Sequence, residues 1–383
     1  MIQTYPGVPA GEAHPTEHAV PTALPLRAGQ IRIGIFEPNE SWAYWPSLID
    51  RGTDWTYEYN RKAVQLAEEI GCSFAFPAGR WKGLAGDGLD WRGVSLDTVT
   101  LTAGLLQATS RIVLLTTMHT NVFHPVMAAK FGADLDQIGE GRWGLNIVSG
   151  WGVDEFKSMG IPLLDHKERY RYTREWLDAV ETLWRDGTVT LDGSYFHLNG
   201  AVARPRPRQV RPLIVNAGQS YTGMSFAAER ADYVFSRGRN AASFREIAEK
   251  AGSRTGFIGT KKVILGASDA QARDRANAIL AKADRGAVTA MMVASGALRP
   301  VDGVIPTVTT KQVDDHILEE AIVGSPETVG RELAKWTVEN QVNGICLTLF
   351  DYLPDLEMVH GEVLPILGEE LAAADRELCL EKP

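Results

Sequence analysis

From Ile31 onward, short runs of β-branched and aliphatic residues alternate with longer stretches whose apolar positions recur at helical spacing. Residues 31–36 predict a strand, 57–70 a helix with Ala63, Leu66, Ala67 and Ile70 on one face, and 73–76 a second strand. The alternation continues through helix 96–109, strand 111–117, helix 125–138 opened by Pro125, and strand 143–148. Asp165 is placed to cap a helix over 165–185, and a hairpin-like insertion over 188–198 follows it. Strands 213–216, 233–236, 262–266 and 344–349 complete the set, interleaved with helices 224–229, 242–251, 269–283 and 326–339.

Eight strands separated by helices predict an α/β fold, a closed (β/α)8 TIM barrel, because every parallel crossover needs a covering helix. The rival, an open doubly wound sheet, carries a phosphate fingerprint after its first strand; here Glu37, Pro38, Asn39 and Glu40 follow instead. A GxGxxG does occur at Gly139, Gly141 and Gly144, but between a helix and a strand, the reverse of the order that aims a helix end at a pyrophosphate. We read it as a tight turn. The barrel spans 31–370, behind a Pro-rich arm over 1–30 with Pro6, Pro9, Pro15, Pro21 and Pro25, and ahead of a tail over 371–383. Segment 284–318, between the seventh strand and the last barrel helix, has the length of a lid rather than a connector.

Composition narrows the partners. With 44% hydrophobic and 23% charged residues among 383, the chain is globular, and 39 Lys+Arg against 48 Asp+Glu give a net charge of −9. That balance disfavours nucleic acid and anionic membrane as partners. Cys72, Cys346 and Cys379 are odd in number and widely spaced, which suits a reducing, cytoplasmic setting and no structural metal. His119 and His124 lie five apart at the third strand's end, where loop packing or substrate contact is favoured over a metal.

Candidate chemistry concentrates at strand ends, where barrel enzymes place their sites. Residues 144–151 read GLNIVSGW, ending a strand on Asn146, whose amide both donates and accepts. Glu155 follows, then Arg169 and Tyr170 as cationic and phenolic donors, and then NAGQS (216–220), where Ser220 opens a helix suited to an anion or serves as a plain cap.

These motifs, with YNRKAVQLAEEIG from Tyr59, FHPVMAAK from Phe123, GRWGLNIVSGW from Gly141, DHKERYRYTREW from Asp165 and NAGQSYTGMSFAAERAD from Asn216, resemble the bacterial luciferase-like flavin monooxygenases over 30–370. Within them, the sequence is similar to the branch holding dimethyl sulfone monooxygenase and the pyrimidine oxygenase. The resemblance implies a two-component enzyme: reduced FMN from an NAD(P)H-dependent flavin reductase, O₂ as co-substrate, a heterocyclic amide or organosulfur substrate, and a homo-oligomer. It implies FMN contacts at Gly79, Arg80, Asn146, Glu155, Arg169, Tyr170 and Ser220, with Thr117 joining Asn146 in a small polar O₂ pocket as the catalytic pair. Phe76, Ala78 and Trp81 would line the substrate wall. There this chain departs from the family, with Gly79 and Arg80 where the family carries bulkier residues and a Lys. A flavin-using lyase, a deazaflavin oxidoreductase of the same fold and a non-catalytic flavin carrier stand as alternatives.

Overall fold

Eight parallel strands pair edge to edge until the last meets the first: β1 (Gln30–Phe36), β2 (Phe74–Phe76), β3 (Val113–His119), β4 (Trp143–Val148), β5 (Leu213–Asn216), β6 (Tyr233–Arg237), β7 (Gly256–Leu265) and β8 (Gly344–Leu349). β1 bonds to both β2 and β8, which closes the expected barrel. This computed structural model describes residues 20–50 and 55–381, so the first nineteen residues of the Pro-rich arm lie outside the described residues.

Strand alternation sorts the side chains into two layers. Ile31, Ile33 and Ile35 of β1, with Leu145 and Ile147 of β4, face outward and are fully buried beneath the helices. Truncating any of these to Ala costs about 2–5 kcal/mol. Phe74, Phe76, Val113, Leu115, Leu213, Val215, Tyr233 and Ile258 point inward. Bulk inside is balanced by its absence: a Cβ on Gly34 would strike the Phe74 ring, and one on Gly144 would meet Leu115 and Leu213. Leu24 plugs the N-terminal end, its carbonyl accepting from Tyr233 Oη at 2.9 Å.

Covering helices begin where side chains cap them: α1 (Tyr57–Glu69), α2 (Thr98–Ala108) capped by Asp97, α3 (Pro125–Ile138) capped by His124, and α4 (His166–Asp186) capped by Asp165. α5 (Tyr221–Arg230), α6 (Ala241–Ala251) and α7 (Pro326–Asn340) follow. The Gly139–Gly144 motif forms the α3–β4 turn, with Gly141 at φ +87°. The hairpin after α4 pairs Thr188–Asp192 with His197–Val202.

Three differences from the sequence reading have physical causes. β7 starts at Gly256 rather than 262 because Gly256 and Gly259 make room for Tyr233 and Trp336, which erases the apolar signal. An eighth helix, α8 (Leu364–Ala373), follows β8 behind the helix Tyr352–Met358 and a π-turn, so the helix at 326–340 is the seventh of the barrel and not its last. Segment 284–318 contains two helices, Arg285–Ala294 and Thr310–Ile317, and the chain then returns as strand Ala321–Gly324, paired to Lys262–Leu265 at the end of β7. The segment packs on the loops after β1 and β2: the Asp284 carboxylate accepts from the N–H groups of Asp87, Gly88 and Leu89 at 2.8–2.9 Å.

Candidate active site

The C-terminal ends of β3 and β4 put Thr117 and Asn146 directly opposite each other in register. Thr117 Oγ1 donates to the Pro77 carbonyl at 2.6 Å, which uses its only proton. It can therefore only accept from Asn146, and Asn146 Nδ2 donates to it at 2.9 Å. This relay fixes which way the amide points. Asn146 Oδ1 is left buried and without a hydrogen-bond partner, an unused acceptor near the C-terminal end of β4.

One residue pair further up β3, His119 Nε2 lies 3.2 Å from the Gly79 carbonyl. A carbonyl only accepts, so the ring proton is on Nε2, and Nδ1 carries an unpartnered lone pair. Burial pushes the His119 pKa down to about 4 and keeps the ring neutral. Gly79 is small where it passes this ring: a Cβ there would press on His119 and Thr117 at 3.4 Å.

Arg80 is buried beside it. Its Nη2 donates to Lys82 O at 2.8 Å, its Nη1 lies 3.4 Å from Glu155 Oε2, and its Cζ sits 4.7 Å from the Trp151 ring centroid. Glu155 Oε1 accepts from the N–H groups of Trp81 and Lys82 at 2.7 and 3.0 Å, so one carboxylate from the short helix Val153–Ser158 fixes the turn at 81–82 in the loop after β2. Ala78 is held at the same rim by Asn39, which bonds both its N–H and its C=O. Trp81 is 39% exposed and meets His119 edge-on, whereas Phe76 points into the barrel.

A second polar group gathers Arg169, Tyr170 and Ser220. Arg169 Nη1 donates to the Gly150 carbonyl while its Nε stays unpartnered. Burial raises the Tyr170 phenol above its ordinary value, against the hydrogen bonds it shares with Ser220 and Ser149. Ser220 caps α5, accepting from Gly223 N at 3.1 Å, and its Oγ lies 3.0 Å from His166 Nε2. Cap and anion donor are compatible roles here, since the first N–H groups of α5 point out of the helix beyond it. A side chain at Gly223 would collide with the Tyr170 hydroxyl, so a glycine here lets the first turn of α5 pack against it.

Sequence reasoning named Phe76 but passed over the rest of the aromatic wall of the mouth, Phe36, Tyr44 and Phe235. Phe36 lies 4.6 Å from Phe76, 5.5 Å from Phe235 and 4.5 Å, edge-on, from Tyr44. It also passed over Glu37, buried at the end of β1, whose carboxyl burial pushes up to about 8. Only their position at strand ends signals them. Among the described residues, most buried side-chain polar atoms without a hydrogen-bond partner gather at this end, on Glu40, Arg80, His119, Asn121, Asn146 and Glu155. No group of three or more His, Cys, Asp or Glu among the described residues is arranged to hold a metal. A planar ring with polar edges and a phosphate tail fits this set of groups: one fixed amide acceptor, and as donors a guanidinium, a phenol and a helix N-terminus.

Residues 31–341 match the luciferase-like monooxygenase family. The pyrimidine monooxygenase RutA of Cronobacter turicensis is 30% identical over 356 residues, covering 88% of this chain and 92% of its own length. That of Pseudomonas syringae pv. syringae is 31% identical over 352 residues, covering 88% and 96%. Among solved structures, a riboflavin lyase superposes with a TM-score of 0.78 at 21% identity, over 92% of this chain and 94% of that one, a likeness of fold.

Proposed function

Because the chain belongs to the luciferase-like monooxygenase family, we propose that it oxygenates a small organic molecule with O₂ and reduced FMN, the FMN arriving from an NAD(P)H-dependent flavin reductase. The observation that carries this reading is the Pro77–Thr117–Asn146 relay, which holds an amide acceptor fixed and unpartnered at the barrel mouth. Arg169, Tyr170, Ser220 and the N-terminus of α5 would hold the phosphate, and Asn146 the ring edge; Gly79, Arg80 and Glu155 shape the neighbouring loop.

When bound, reduced FMN supplies the electrons that activate O₂. The chain's own residues bind, orient and exclude water. Thr117 and Asn146 offer a small polar niche for the oxygen. The rings of Phe36, Phe76 and Phe235 keep the chamber apolar, with Ala78 and Trp81 at its rim. Neither an acid/base dyad nor a nucleophile is required of the protein. Segment 284–318 is the roof of this chamber, pinned to the loop at 87–89 by Asp284. The substrate is a ring amide or an organosulfur compound, and the pyrimidine in the relatives' name supports the first.

The test is coupled turnover. Purified protein, a flavin reductase, NADH and FMN should link oxygen uptake to loss of a ring amide or a sulfone. Absence of coupling across both classes would refute the oxygenase, and an Asn146→Ala variant with unchanged coupling would remove Asn146 from the site.

A further inference from the structure

The loops after β1 and β2 bury a second polar cluster beside the aromatic wall. Glu40 Oε2 accepts from Arg92 Nε, with both side chains almost fully enclosed. The Arg92 guanidinium lies over the Tyr44 ring, 4.9 Å from its centroid, and the Tyr44 ring is edge-on to Phe36 at 4.5 Å. Arg80 is near enough that Glu40 and Tyr44 both act on its charge, and it connects the cluster to Glu155. Two carboxylates therefore face two guanidiniums, and the four charges cancel within the cluster.

The partners in this cluster are incomplete in an informative way. Glu40 Oε1, Tyr44 Oη and Arg80 Nε are buried with no hydrogen-bond partner, while Arg80 Nη1 has only its 3.4 Å ion pair to Glu155. Such groups are costly to leave unmet. They comprise an acceptor that cannot donate, a hydroxyl that does either, and donors that cannot accept. An amide satisfies all three kinds, giving its N–H to Glu40 and its C=O to Tyr44 or Arg80. A sulfone has acceptors only and leaves Glu40 unmet. A sulfonate meets the carboxylate as a like charge.

Resting on the oxygenase reading above, we propose that Glu40 is a specificity-determining residue that makes this chamber select an uncharged amide and reject anions. The charge balance identifies the excluded class, and the unmet acceptor identifies the chosen one.

Calorimetric titration of the full chain loaded with oxidised FMN tests this, with δ-valerolactam and methanesulfonate as probes. The native protein should bind the lactam at least tenfold more tightly than the sulfonate. Glu40→Gln replaces the acceptor with an N–H₂ and leaves two guanidiniums against one carboxylate. Lactam affinity should fall at least tenfold and methanesulfonate affinity rise at least tenfold. Tyr44→Phe keeps the ring packing and the charges, so it should weaken the lactam alone; it carries the test if Glu40→Gln does not fold. Unchanged lactam affinity in whichever variants fold, with FMN bound as in the native protein, overturns the role of Glu40, and so does a native preference for the sulfonate. Failure of the native protein to bind FMN at all would instead overturn the oxygenase reading on which it rests.

Discussion

Replacing Thr117 with Val tests the relay at the centre of the candidate site. Valine keeps the shape and removes one hydroxyl. That hydroxyl makes two buried bonds, at 2.6 Å to Pro77 O and 2.9 Å from Asn146 Nδ2. The variant leaves a buried amide donor and a buried carbonyl unmet, at about 1–3 kcal/mol each, so a loss of about 2–6 kcal/mol is expected. Against a total stability of about 5–15 kcal/mol this is a large fraction. The effect on flavin should be smaller. Without the relay the Asn146 amide has two equivalent orientations, and only one leaves Oδ1 as the unused acceptor, so apparent FMN affinity should drop about twofold. Urea unfolding followed by tryptophan fluorescence reads the first quantity and FMN titration the second. Thr117→Ser restores the hydroxyl and should recover both to within about 1 kcal/mol. A Val variant as stable as the native protein, or a Ser variant as poor as Val, would refute the reasoning.

Two further outcomes separate function from architecture. Ser220→Ala should weaken FMN about tenfold while leaving riboflavin, which lacks the phosphate, unaffected; equal losses for both flavins would make Ser220 a helix cap alone. Glu37 stays neutral in the folded chain from its ordinary 4.5 up to about 8 because burial disfavours its anion, whereas the unfolded chain ionises over that window. The folded state thus binds more protons there, and stability falls as pH rises from 4.5 towards 8. Glu37→Gln removes this slope and should be more stable than the native protein by about 3–5 kcal/mol at pH 8, with little difference at pH 4.5; parallel urea curves at the two pH values check it.

What could be read from the sequence follows from how locally each feature is encoded. β4 is legible to the residue because Trp143–Val148 is an apolar run bounded by a turn and by Ser-Gly-Trp. β7 is not, since its first half gives up side chains so that Tyr233 and Trp336 can occupy the space. The ends of adjacent strands bring Thr117 and Asn146 together, so the resemblance and the sheet register point to the same pair. Glu40 and Arg92 are invisible beforehand: they lie 52 positions apart on loops with no period, and only the folding of both loops over one mouth makes them partners. Arg169 shows the same limit at shorter range, because nothing in ERY indicates that its guanidinium reaches the Gly150 carbonyl.

The paired ends of segment 284–318 bear on how such enzymes diversify. The chain leaves after β7 and helix Asp269–Ala281 and returns as Ala321–Gly324 hydrogen-bonded to Lys262–Leu265, on the very strand it left. Departure and return are thus both fastened at β7, and Val288, Val313 and Ile317 of the excursion pack with Ile264 of that strand in one buried cluster. The segment is in this sense a cassette with a fixed apolar underside. A shorter, longer or foreign segment spliced at these two points would meet the same anchor strand, and it would have to present an apolar face to Ile264, Trp45 and Phe350 in place of Val288, Val308, Val313 and Ile317.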